Sequence, residues 1–357
     1  MYVIRSIFEV ALLLAWFPAG IFAQLQTPDL DFFLRKQVGV TPLELSNLEK
    51  GQTIVKLPKT SDTREVAVFA VVRLDVPPEF FVDSVRDIVT FKTGDNVMKT
   101  GKFSNPPRLE DLSGLTLEPA DIEGLRRCRV NNCDLKLPAR TIERFRKEVN
   151  WSAPNYRERA TDLFRLVLLE NVQNYLKSGN SALGEYNDKA YVLRIADEFA
   201  TLLQPAPYMY AYSVEFEKHL QGFPHANDVG AEDFIYWSKE KFGMKPVVSV
   251  THVSIYKRNT PSGLHVLIAS KGIYATHYFE VSLGMTGFVQ CLSEPNRSYL
   301  IYINRSRADA LRGLLAGLKR SLISGSVRDG TRKNMELIKQ RLERDYHNIS
   351  KGLENSP

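Results

Sequence analysis

Between Lys245 and Asn304 the chain takes on a strand period, and this stretch restricts the fold more than any other. Five runs rich in β-branched and aromatic residues follow one another: Pro246–Lys257, Gly263–Ser270, Gly272–Leu283, Thr286–Leu292 and Ser298–Asn304. Glycine and proline sit between most of them, a pattern that suits an antiparallel meander. A further strand is predicted at Glu65–Asp75, where Val-Ala-Val-Phe-Ala-Val-Val is nearly continuous. Val76-Pro77-Pro78 breaks it, and a helix is predicted from Pro78 or Glu79 through Ile88. Phe80, Phe81, Val85 and Ile88 form its apolar stripe. Gly94–Phe103 reads as another strand or a pair of turns, closed by Asn105-Pro106-Pro107.

Residues 108–245 change character, and helices are predicted to dominate: Pro138–Val149, a long one capped by Ser152 and running to about Lys177, then Tyr191–Leu203, Tyr210–Leu220 and Ala231–Phe242. Gln204–Tyr212 reads as a loop. Beyond the meander, Ser306 with Asp309 three residues on is a capping-box variant. It opens a predicted helix whose face is Leu311, Leu314, Leu315, Leu318 and Leu322, thinned by Gly313 and Gly317. A second, strongly charged helix is expected at Thr331–Tyr346, and 348–357 reads as a polar tail.

At the other end, Arg5 precedes an apolar run, Val10–Phe17, and a small-residue stretch ends at Ala23. That order reads as a secretory signal peptide over 1–23, too short to span a bilayer, with an uncleaved anchor as the alternative. A lead-in with one short helix, Asp29–Gln37, occupies 24–50. The expected location is therefore secreted or periplasmic. Four Asn-x-Ser sequons, at Asn150, Asn296, Asn304 and Asn348, matter only if the cell glycosylates them.

Apolar residues make up 44% of the chain, enough for a sizeable core. The net charge of +6 concentrates near the C-terminus, at Arg305, Arg307, Arg312, Lys319, Arg320, Arg328, Arg332 and Lys333. Such a run is either a solvated helix face or a site of transient contact with a membrane surface. No aromatic-interleaved basic motif points to nucleic acid.

Two segments, Val66–Ile88 and Val247–Ser324, have an order that resembles the START-like helix-grip superfamily: strand, Val-Pro-Pro-Glu, helix, antiparallel strands and a final amphipathic helix. The resemblance covers about a third of the chain. It implies an α+β fold in which an antiparallel sheet grips a C-terminal helix around an apolar cavity, here within 51–347 and with a large helical insertion at about 108–245. It also implies binding of a lipid or other hydrophobic small molecule rather than catalysis.

Candidate site residues follow from the same strands. Ala269–Glu280 is dense in polar and aromatic residues, and Tyr274, His277, Tyr278 and Tyr302 are the expected ligand-binding set. Strand alternation places His277 and Tyr278 on opposite faces. His277 is favoured for the cavity because Ile273, Ala275, Phe279 and Val281 share its face. Arg305 and Arg307, where the last strand meets the helix, would bind an anion, or else face solvent beside a capping Ser306. His252, His265 and His277 do not have a metal spacing, and no cofactor or catalytic motif is present. The alternatives to a carrier are an enzyme using these strand histidines, or an interaction module docking through the helical insertion.

Of three cysteines, Cys128 and Cys133 flank Arg129-Val130-Asn131-Asn132, and in an oxidising compartment they read as a disulfide loop. Closing so small a loop stabilises by about 2 kcal/mol in the chain-entropy view. Alkylation of the oxidised protein under denaturing conditions should find one free thiol, at Cys291. Three would refute the bond.

Overall fold

The computed structural model describes residues 30–354 apart from 205–212, 227–228, 244, 261–262, 292–293 and 313–315. In chain order its elements are α1 (Leu30–Phe33), continued by a π turn to Val38, α2 (Pro42–Glu49), β1 (Ile54–Lys56), β2 (Glu65–Leu74), α3 (Pro78–Arg86), α4 (Ile88–Phe91) and β3 (Val97–Lys102). Then follow α5 (Pro119–Arg127), α6 (Ala139–Glu148), α7 (Tyr156–Ser178), β4 (Glu185–Tyr186), β5 (Leu193–Arg194), α8 (Ile195–Leu202) and α9 (Val214–Gly222). The chain ends with β6 (Glu232–Phe242), β7 (Lys245–Thr260), β8 (Gly263–Ala275), β9 (Phe279–Cys291), β10 (Glu294–Ala308) and α10 (Ala316–Glu354).

Eight strands form one sheet in the order β1-β2-β10-β9-β8-β7-β6-β3, and every pairing is antiparallel. The expected meander is present as the four strands β7 to β10, which take up the five expected runs, and β6 precedes it as a fifth strand that was not expected. β4 and β5 form a separate small ribbon. The class is thus α+β, and the C-terminal helix packs against the sheet as expected.

The sheet is the middle of three layers. Along β2, Val68, Ala70, Val72 and Leu74 join Phe81, Val82 and Val85 of α3 and Met335 and Leu342 of α10 in one core. Phe81 stacks on Phe288 with centroids 4.7 Å apart. The intervening Ala67, Phe69 and Val71 meet Phe33, Leu34 and Leu48 on the other side. Burial on both faces explains why β2 reads as a continuous apolar run and not as an alternation. The lead-in at 24–50 is, from Leu30 on, part of this core. On the same second face, α5–α9 cover β6–β9. No helix of the described residues is long and apolar enough to cross a membrane.

Several boundaries differ from expectation. Ala231–Phe242 is β6 and not a helix. Its aromatic residues alternate, with Ile235 and Trp237 toward the helical segment and Phe234 and Tyr236 toward the opposite core, and burial on both sides hides the period. The helical segment therefore stops before residue 232. The break expected near Lys271 lies instead at Thr276-His277-Tyr278, and Tyr278 takes a left-handed φ of 60°. Ser306 opens no helix. β10 continues to Ala308, and the Ser306 hydroxyl bonds Ser282 and Asn304 within the sheet. The two expected C-terminal helices are the single helix α10, which also takes in most of the expected polar tail. Residues 1–23, the loop at 205–212, and Gly313 with its neighbours Leu314 and Leu315 lie outside the described residues, as do the side chains along 316–319.

Cys128 and Cys133 are bonded, with Cα atoms 4.4 Å apart, and Asn131 makes the turn at φ 69°. Gly179 ends α7 at φ 57°, where a Cβ would lie 1.7 Å from the Phe223 carbonyl oxygen. Gly179→Ala should lower stability by at least about 2 kcal/mol in urea melts, through both the left-handed backbone and the clash. A neutral substitution would show that α7 does not end against Phe223.

Candidate functional site

Where the helical segment lies on β6–β8, polar side chains from five elements meet in an otherwise apolar layer. Asp233 enters from β6, His252 and Ser254 from β7, Lys271 from β8, Tyr175 from α7 and His219 from α9. A single carboxylate oxygen, Asp233 Oδ1, accepts from Ser254 Oγ at 2.6 Å, His252 Nε2 at 2.9 Å and His219 Nε2 at 3.1 Å. Glu232, its neighbour in sequence, points the other way and pairs with Arg86.

The acceptors determine the protonation of each ring. His219 Nδ1 bonds the Ala226 carbonyl at 3.0 Å, and neither that oxygen nor the Asp233 carboxylate can donate. Both nitrogens of His219 must donate, so it is the imidazolium. Burial opposes that charge, but the Asp233 hydrogen bond and charge outweigh it, and the His219 pKa lies above its ordinary value. His252 donates through Nε2 and accepts the Tyr175 hydroxyl at Nδ1, 2.9 Å away, so it is neutral. Burial, the largest influence on it, pulls its pKa down. Burial would raise Asp233, but the bonds from His219, His252 and Ser254 hold it far below the usual carboxylate range.

Lys271, opposite His252 in the β7–β8 ladder, is buried. Its ammonium donates to Asn180 Oδ1 and lies 3.9 Å from the Phe199 ring centroid and 5.1 Å from that of Tyr175. Burial without a carboxylate partner brings its pKa down to about 7.

Tyr175 also walls a small pocket, about 40 Å³, between α6, α7 and the sheet. Leu168 and Val172 of α7, Ile195, and Val250, Ile273 and Tyr274 of the sheet line it. Arg140, exposed at the start of α6, is the one charged residue among the described lining. A bulge opposite Val250 and Thr251 turns both Ile273 and Tyr274 toward the helical segment, against simple alternation. The Tyr274 hydroxyl is buried and has no hydrogen-bond partner among the described residues.

The four expected ligand residues do not come together. Tyr274 lines the pocket. His277 sits in the β8–β9 turn and bonds Asp121 of α5 at 3.0 Å. The Tyr278 hydroxyl accepts the Lys245 backbone N–H at 2.9 Å. Tyr302 packs in the core on the opposite face, with α3 and α10. Alternation could not separate His277 from Tyr278 because neither is in a strand. Arg305 and Arg307 are buried, and each is paired with carboxylates of the chain itself. Arg305 Nε bonds Glu65 at 2.7 Å, and Arg307 pairs with Asp62 at 2.8 Å and with Glu198. Of the strand histidines, His252 joins the cluster, while His265 lies opposite Arg258 further along the ladder. Among the described residues, no group of three His, Cys, Asp or Glu is placed to hold a metal ion. Asp233 is missed in the sequence because 231–242 reads as a helix, and His219 because its partner lies on that strand, away from its own helix. Read as a strand, Asp233-x-Ile235-x-Trp237 would have put the carboxylate on the buried side.

No protein-family model, curated protein or solved structure matches this chain.

The lysine gives the cluster a pH signature. Below about 7 both folded and unfolded chains carry its charge, and the folded state bears the full cost of burying it. Between about 7 and the ordinary 10.5 the unfolded lysine holds a proton that the folded one has lost, so stability rises with pH. Lys271→Met should remove that rise. Urea melts should show the wild type gaining stability relative to the variant between pH 7 and pH 9.5; an equal change in both would mean the amine is not buried as described.

Proposed function

We propose that this chain is an exported binding protein for a small amphipathic molecule, held between the helical segment and the sheet. The observation that carries this reading is the Tyr274 hydroxyl, buried without a partner in the wall of an apolar pocket. An unpaired buried hydroxyl costs about 1–3 kcal/mol, and a ligand's polar atom would offset that. The pocket has room for only a few water-sized atoms, which suits the end of a short chain better than a whole lipid. Arg140 at its edge supplies a cation for a carboxylate head, so a short-chain carboxylate is the class that fits both ends. This pocket is on the face opposite α10, so the carrier reading no longer relies on a cavity beneath the C-terminal helix.

An enzymatic reading has one specific support. Tyr175 belongs to both the pocket and the Asp233–His252 chain, so a proton could pass between a bound molecule and the buried histidine. Turnover of a short-chain ester by the wild type, lost in His252→Gln, would move the conclusion there.

Calorimetric titration with butyrate, hexanoate and decanoate tests the binding reading, with hexanol as the uncharged control. Hexanoate should bind, and Arg140→Gln should weaken it about fivefold, the equivalent of roughly 1 kcal/mol. Tyr274→Phe should also weaken binding, yet raise stability of the free protein by about 1 kcal/mol, because it deletes the unpaired hydroxyl. No heat with any of these ligands would remove the proposal.

A further inference from the structure

We propose that Asn150 carries an N-linked glycan, and that it is the sequon of this chain that the fold presents for modification. The inference rests on the reading of the chain as exported, since the transfer occurs only along a secretory route.

Asn150-Trp151-Ser152 forms the exposed turn between α6 and α7, and both Asn150 and Ser152 are exposed. The turn is closed on itself. The Ser152 backbone N–H donates to Asn150 Oδ1 at 3.1 Å, and the Ala153 N–H donates to the Asn150 carbonyl at 3.0 Å. This leaves the Asn150 Nδ2 without a bond to any described residue. Trp151, between them, is anchored inward, its Nε1 donating to the Phe145 carbonyl at 3.1 Å. The half-buried indole fixes the turn from below while the amide faces out.

The other sequons are placed differently. Asn304 is in β10, where Oδ1 accepts the Ser306 hydroxyl at 2.6 Å and Nδ2 donates to Ser282 at 3.4 Å, so a sugar there would displace bonds between neighbouring strands. Ser298, the hydroxyl residue of the Asn296 sequon, is fully buried in the same strand. Asn348 is exposed on α10, but its Ser350 hydroxyl donates to the Tyr346 carbonyl at 3.0 Å within the helix. An N-glycan is bulky and hydrophilic and needs an exposed site. Asn150 offers that in a turn, with its hydroxyl partner also exposed.

The reaction joins Asn150 Nδ2 to the anomeric carbon of a lipid-diphosphate-linked oligosaccharide. The amide loses one proton, and the lipid diphosphate leaves with the electron pair of the broken C–O bond. Asn150 is at the end of α6 away from Arg140, about 15 Å along the helix, so the sugar leaves the pocket open.

The test is expression of the full chain in a eukaryotic cell line, once with its own N-terminus and once behind an established secretory leader. The secreted protein is then treated with peptide-N-glycosidase in heavy-oxygen water and mapped by mass spectrometry. The expected result is labelled conversion of Asn150 to Asp and a gel shift abolished by both Asn150→Gln and Ser152→Ala. Asn304→Gln and Asn348→Gln should leave the shift in place. Asn150→Gln should bind hexanoate as the wild type does, which separates this proposal from the pocket. Secreted protein with unmodified Asn150 overturns the inference. If the chain enters the medium only behind the added leader, the exported reading fails, and a glycan at Asn150 has no natural occasion.

Discussion

Burial of one antiparallel sheet on both faces governs the rest of this structure. A polar side chain leaving a central strand meets another layer in either direction, so it must find a partner there or remain unpaired at a cost of a few kcal/mol. The partners come from segments far apart in the chain. Glu65 on β2 meets Arg305 on β10, Arg307 meets Asp62 and Glu198, Asp121 on α5 meets His277, and Lys136 meets Asp309 at 2.6 Å. These pairs tie the helical segment and the connecting loops to the sheet at defined points, where apolar packing alone would set only an approximate position.

The cluster around Asp233 is the densest of these ties. One carboxylate oxygen gathers three donors and leaves one histidine charged and the other neutral, although both lie in the same layer. The neutral ring in turn holds the Tyr175 hydroxyl, and the Tyr175 ring is a wall of the pocket. The position of that wall therefore depends on the tautomer of a buried histidine, which depends on a carboxylate from another strand. Lys271, unlike the two histidines, has aromatic rings and an amide for neighbours and no carboxylate, and its pKa shift follows from its burial there.

Much of the architecture was legible where local signals agree with the final environment. The run at 65–75 is β2, the Pro-led stripe of Phe81 and Val85 is α3, and the apolar side of 156–178, with Phe164, Val167 and Val172 buried, is α7. The disulfide was legible because four intervening residues with an Asn-Asn turn leave the two cysteines within reach of one another. Reading failed where a side chain's local and distant roles conflict. Ser306 and Asp309 resemble a helix cap, but Arg305 and Arg307 between and beside them are held in a strand by Glu65, Asp62 and Glu198. The charged and aromatic mix of 232–242 resembles an amphipathic helix until both of its faces are seen to be covered.

By itself, then, the sequence determined the class of the fold, the run of strands, the main helices and the cysteine pair, because periodicity, proline and short loop closure act over a few residues. The tertiary structure decided which polar residues meet. Tyr274 and Tyr302 part to opposite faces through a bulge and the pleat of the sheet. Asp233, His219, His252, Lys271 and Tyr175 converge from five elements. No local pattern encodes that convergence, since each contact is set by strand register and by how the helical segment lies across the sheet.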